Sequence, residues 1–185
     1  MRCCIVTGSQ FQRDLLDRLL TVAELSEFTV VRGGRRTAAV ALAGSILAAR
    51  SVPVVVLLDA DTVEPEGVRE QEEMHRYLLR RAGYAPGLAS AVLMAVPQVE
   101  AVLFGDLEAL ECVLGRRLTG REAVEGEFRP RALLQRLIEE AGMDEDAFLE
   151  RIGPRAAGRF AAHPLIRSLV QFVESAGSAV TASAA

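Results

Sequence analysis

Residues 54–67 read VVVLLDADTVEPEG: an apolar, β-branched run that ends abruptly in two carboxylates, Asp59 and Asp61. Continuous apolarity with no alternation marks a strand buried on both faces, as in a parallel sheet. The stretch is therefore taken as the third strand, Val52–Leu58, with the acids at its carboxyl end. Ligands of open α/β sheets gather at that end. Two carboxylates spaced i, i+2 on a turn suit one hard divalent cation, and magnesium favours few carboxylates together with phosphate oxygens. The competing reading is structural: Asp59 caps a turn, and Asp61-Thr62 caps the helix that follows.

Working outward, Arg2–Thr7 (RCCIVT) reads as a short buried strand closed by Gly8-Ser9, and Gln10–Leu20 as an amphipathic helix with Leu15, Leu16, Leu19 and Leu20 on one face. Phe28–Arg32 is a second strand. Gly33-Gly34 then turns into an Ala-rich helix, Thr37–Arg50. Glu66–Ala82 is a charged helix with Met74, Leu78 and Leu79 inward and His75 on the surface, ended by Gly83. Ser90–Val96 is the fourth strand. Strand–helix alternation through residue 96 specifies a mostly parallel, Rossmann-like α/β sheet with helices on both faces.

From Pro97 the period becomes helical. Helices are expected at Gln98–Phe104, at Leu107–Leu114 with Asp106 as cap, at Pro130–Ala141, at Asp144–Ile152 and at Pro164–Glu174. The domain expectation is one unit over residues 1–175, with an α/β core (1–96), a helical part (97–175) and a frayed tail (176–185).

Composition removes several classes. The chain has 185 residues, half of them hydrophobic and a quarter charged, with a net charge of −4, so no global field draws nucleic acid and only a local basic patch could. All 21 basic residues are arginine. No lysine can therefore act as a general base or Schiff-base amine. Cys3, Cys4 and Cys112 form no paired framework, since neighbours on a strand point to opposite faces; a reducing, cytoplasmic setting is expected. No signal peptide is visible, and no apolar stretch is long enough to span a bilayer, so no membrane partner is expected.

Several motifs in order resemble a known fold family. IVTGSQFQRDLLDRLL (5–20) resembles the opening of a Toprim domain, VVRGGRRTAAVALAGSILAA (30–49) its middle, and VPVVVLLDADT (52–62) its Asp-x-Asp strand. VPQVEAVLFGD (96–106) and HPLIRSLVQFVE (163–174) resemble a small bacterial Toprim-like family of unknown activity, related to OLD-type nucleases. The resemblance implies a Mg²⁺- or Mn²⁺-dependent phosphodiester-cleaving scaffold, or its non-cutting derivative. Asp59, Asp61 and Glu100 would be the metal-binding, catalytic acids. Gly33, Gly34, Arg35 and Arg36 would meet phosphate, because glycine turns, helix N-terminal amides and arginines suit an anion.

It implies nucleic acid, or a protein encoded nearby, as partner, a homo-oligomer as a further outcome, and a setting in phage defence. One motif departs: the family's first acid falls at Thr7, and a hydroxyl replaces a general acid/base poorly. A catalytically inactive binding subunit is therefore a second reading. A third is a GT-A-like glycosyltransferase fragment, whose middle residues 33–67 also resemble and which would use Asp-Ala-Asp 59–61 for a nucleotide-sugar metal. Of the remaining groups, His163 is expected to cap or pack, and Arg80-Arg81 and Arg116-Arg117 to be solvated.

Overall fold

The four apolar runs form one parallel sheet in a computed structural model of the chain, which describes residues 3–23, 25, 28–83 and 87–182. The strands are β1 (Cys3–Thr7), β2 (Phe28–Arg32), β3 (Val54–Asp59) and β4 (Ser90–Ala95), in the spatial order β2-β1-β3-β4. Register places Val6 beside both Val31 and Val56, and Asp59 beside Ala95. The central strands are buried through almost their whole length, which accounts for their unbroken apolarity. Arg2, the expected first residue of β1, lies outside the described residues.

Side-chain alternation splits the sheet into two apolar faces. Cys4, Val6, Val54, Val56 and Leu58 face α2 (Arg36–Arg50) and α3 (Pro65–Ala82). Cys3, Ile5, Val55 and Leu57 face α1 (Gln10–Val22), whose Leu15, Leu16, Leu19 and Leu20 are buried as the periodicity requires. Cys3 and Cys4 thus lie on opposite faces, and all three cysteines are free.

The C-terminal helices cover the α1 face. They are α4 (Ala101–Phe104), α5 (Leu107–Leu114), α6 (Gly120–Phe128), α7 (Pro130–Glu140), α8 (Glu145–Arg151), α9 (Pro154–Ala161) and α10 (Pro164–Ala182). One apolar cluster runs from Ile5 and Leu57 through α1 to Phe148, Phe160 and Leu169.

Three differences from the sequence reading have local causes. Helices α6 and α9 carry little apolar signal: α6 leaves Val124 and Phe128 exposed, and α9 buries only Ala157 and Phe160. Helix α10 continues past Glu174 to Ala182. On α3, His75 is buried at 2% exposure with Nδ1 2.6 Å from the Gln71 carbonyl oxygen, and Met74 is turned out. The inward row is set by i, i+4 spacing from Leu79, which selects His75 and excludes Met74.

Helix α6 begins with a capping box in which Thr119 and Glu122 each accept the other's backbone N–H. Arg116 adds two hydrogen bonds to Glu122, and these, with the Thr119 amide, hold its carboxyl down to about 2. The folded value lies below the unfolded one. The contribution is therefore complete above the ordinary carboxylate range and is lost as pH falls towards about 2. Glu122→Gln is expected to melt below wild type near about pH 6, and the gap to close only as pH falls through about 2, in thermal melts.

Candidate functional site

In the order β2-β1-β3-β4 the chain leaves β1 towards β2 on one side and returns to β3 on the other. Helix α1 packs on one face of the sheet and α2 on the opposite one. The crevice between the carboxyl ends of β1 and β3 is the topological switch point of such a sheet, where ligands of α/β folds collect. A cleft of about 880 Å³ opens there, lined by residues of the Gly8–Gln12 turn, Arg32, Gly34–Thr37, Asp59, Asp61 and Arg131.

Asp59 ends β3. Its Oδ1 accepts the Val99 N–H at 2.9 Å, and its Oδ2 accepts Arg131 Nη2 at 2.5 Å. Glu100, 2% exposed, takes the other side of the same guanidinium: Oε1 from Nε at 2.9 Å and Oε2 from Nη2 at 3.1 Å. Burial pushes the Glu100 carboxyl up, Arg131 opposes that, and Asp59 adds to it. Burial would also lower the Arg131 guanidinium, but its bonds to Glu100 and Asp59 outweigh this and hold it above its ordinary value.

Gln12 closes the arrangement on the β1 side. Its Oε1 accepts the Thr7 hydroxyl at 3.0 Å and the Gly8 and Ser9 amides at 3.2 and 3.3 Å. Those three donors fix the amide orientation, so Nε2 faces Asp59 at 3.2 and 3.1 Å. Thr7 is fully buried and serves Gln12. Asp14 bonds Gln10 and Arg13 instead.

Asp61 stands apart. Its φ of 53° is left-handed, a conformation that aspartate tolerates. Its carboxylate accepts Arg36 Nη2 at 2.6 Å and Gln98 Nε2 at 2.8 Å. Of the three acids singled out in the sequence, Asp59 and Glu100 meet around Arg131, and Asp61 meets Arg36. Among the described residues, no group of three or more His, Cys, Asp or Glu side chains is placed to hold a metal ion. The donor set as arranged does not fit a divalent cation.

The glycine turn behaves differently. Gly33 N–H donates to the Thr7 carbonyl at 2.7 Å, and a Cβ at Gly33 would lie 2.6 Å from Val6 Cγ1 and 2.7 Å from Ala39 Cα. Only glycine lets the start of α2 approach β1 this closely. Among the described residues, no side chain caps the first turn of α2. Arg32 and Arg35 line the cleft and form no ion pair among the described residues, whereas Arg36 is engaged by Asp61.

Arg131, Gln12, Gln98 and Arg32 were not singled out in the sequence. Two weak signals exist: Ser9-x-x-Gln12 is a capping-box spacing, and Arg131 sits in the first turn of a helix, where a cation is electrostatically misplaced. His163 caps α10 by accepting the Leu165 N–H, as expected, and Arg116 is bound to Glu122 and Glu140 rather than solvated.

A parallel sheet in this order, with a helical layer built from the C-terminal residues and strand-end acids at the switch point, is a Rossmann-like α/β fold. No family model and no curated protein matches the chain. Solved structures do. The C-terminal region of the Burkholderia pseudomallei OLD protein aligns with 95% of this chain and 98% of its own at 15% identity, with a TM-score of 0.61. The C-terminal region of the Xanthomonas campestris pv. campestris OLD protein, phased with iodine, aligns with 96% of each chain at 17% identity, with a TM-score of 0.59. At this identity the likeness is one of fold. Among the described residues, no helix is long and apolar enough to cross a membrane.

Proposed function

We propose that this chain is an OLD-type Toprim domain that binds the phosphate backbone of nucleic acid without metal-dependent cutting. The observation that carries the reading is the basic side of the cleft: Arg32 and Arg35, unpaired with any described carboxylate, beside the uncapped start of α2. Guanidinium groups and helix N-terminal amides both suit phosphate oxygens.

Two further features support the absence of cutting. Thr7 offers a buried hydroxyl where the resemblance expects an acid, and losing a general acid/base costs about 10²–10⁴ in rate. The Asp59–Glu100 pair is also already neutralised in part by Arg131. Magnesium-dependent cleavage is the second reading, favoured by the acids' place at the sheet rim, and it requires Arg131 to leave them. A protein partner encoded nearby and a setting in phage defence are proposals that rest on the family resemblance.

Fluorescence anisotropy with short DNA and RNA strands tests the reading. Binding is expected to survive EDTA and to weaken steeply with salt. Arg32→Ala/Arg35→Ala is expected to lower affinity about ten-fold or more and to reduce the log–log salt slope by about 2. A plasmid is expected to stay intact in Mg²⁺. Absence of binding, or nicking that EDTA stops and Asp59→Asn abolishes, would overturn the reading.

A further inference from the structure

We propose that Arg131 is the resident cation of the acid centre. Its guanidinium takes the position that a divalent ion would need between Asp59 and Glu100 and supplies one positive charge there. The centre is therefore complete without metal and refuses one. The inference deepens the non-cutting reading above, but its test is metal binding and stability, in which nucleic acid plays no part.

All four oxygens of the two carboxylates already have N–H donors. Arg131 holds Asp59 Oδ2 and both oxygens of Glu100, at 2.5 to 3.1 Å. The Val99 amide and the Gln12 carboxamide hold Asp59 Oδ1, at 2.9 and 3.2 Å. Gln12 cannot turn an oxygen inward as a ligand without breaking three bonds, because Thr7, Gly8 and Ser9 all donate to its Oε1. A divalent ion needs oxygens converging at about 2.0–2.6 Å. The space where they would converge contains a guanidinium.

Charge points the same way. Two carboxylates and one guanidinium leave a single net negative charge, and Asp61, the nearby third acid, is engaged by Arg36. An incoming dication would face the fixed positive charge at contact distance. Arg131 lies in the first turn of α7, the positive end of the helix, with its own backbone N–H donating to Gln98 Oε1 at 3.3 Å. Asp59 and Glu100 offset the unfavourable helix dipole at that position.

The same residue also faces outward. Arg131 lines the cleft with Arg32, Arg35 and Arg36, and its Nη1 hydrogen-bonds none of the described residues. The guanidinium thus stands between the acids and any phosphate in the cleft, where a metal would bridge them.

The experiment is Mn²⁺ titration of the full chain by calorimetry, with thermal melts in EDTA and in Mn²⁺ on the order of 1 mM. Wild type is expected to give no saturable heat and the same melting temperature in both buffers. Arg131→Met is expected to melt several degrees lower in EDTA and to recover part of the loss in Mn²⁺. If the variant is unfolded in EDTA, it is expected to fold on Mn²⁺ addition. The wild-type titration does not depend on Arg131→Met folding: one saturable Mn²⁺ site that Asp59→Asn removes would overturn the proposal. An Arg131→Met protein that Mn²⁺ neither binds nor stabilises would overturn it as well.

Discussion

Phe148→Ala is expected to destabilise the fold by about 3–5 kcal/mol and to lower one unfolding transition rather than split it in two. Phe148 lies on α8, fully buried, and its ring meets that of Phe11 on α1 with centroids 6.3 Å apart. Truncation removes apolar area and leaves a cavity between an N-terminal and a C-terminal helix. Both belong to the cluster that also contains Ile5 and Leu57 of the sheet. Damage at Phe148 therefore reaches the sheet through α1. For a chain of this length the loss corresponds to a melting temperature lower by about 10 °C. Far-ultraviolet circular dichroism and a near-ultraviolet signal should give coincident midpoints in urea. If the C-terminal helices formed a separate unit, an early helical transition would appear in Phe148→Ala while the sheet stayed folded. Coincidence would support the reading of residues 1–175 as one domain.

The α/β part was legible because its signals are dense. Val54–Leu58 can hardly be anything but a doubly covered strand, and the strand–helix alternation up to β4 leaves few topologies. Leu107–Leu114 was legible through its cap, Asp106, which accepts the Ala109 N–H. The C-terminal region was harder for a physical reason. Two of its helices, α6 and α9, show only one or two inward residues, whereas α5 and α7 show four and five. Helix α9 buries an alanine and a phenylalanine, and α6 depends on a capping box rather than an apolar stripe.

The site was legible only in part. Strand ends locate Asp59, and Glu100 does fall beside it, as the sequence reading required. What the sequence did not disclose is the sign of the charge that joins them. Arg131 is 72 residues from Asp59 and 31 from Glu100. It arrives through the packing of α7, and no local periodicity records that. Gln12 was hidden for a different reason: its spacing from Ser9 is a capping signal, and the cap is real, but the same carboxamide also spans Thr7 and Asp59. One side chain holding a helix start and an acid together can be recognised only once β1 and β3 are known to be neighbours.

The response of the acids to neutralisation discriminates between the two kinds of centre. In a cluster that awaits a metal, like charges repel, and replacing one acid by its amide relieves the repulsion and stabilises the metal-free protein. Here the opposite sign is expected at Asp59. Its Oδ1 must remain an acceptor for Val99 and Gln12, so Asp59→Asn places the new NH₂ at the Oδ2 position, directly against Arg131 Nη2. Donor then faces donor, and part of the arginine's compensation is lost. The expected cost is about 2–3 kcal/mol. Asp61→Asn should behave differently, although the two residues are one position apart. The Asp61 side chain is 53% exposed, its ion pair with Arg36 is screened by solvent, and asparagine accepts its left-handed φ. Its expected cost is below about 1 kcal/mol. Urea denaturation of the two variants in EDTA measures both. A gain in stability at Asp59 would mean that the acids repel each other in the folded chain, and that Arg131 is not what holds them together.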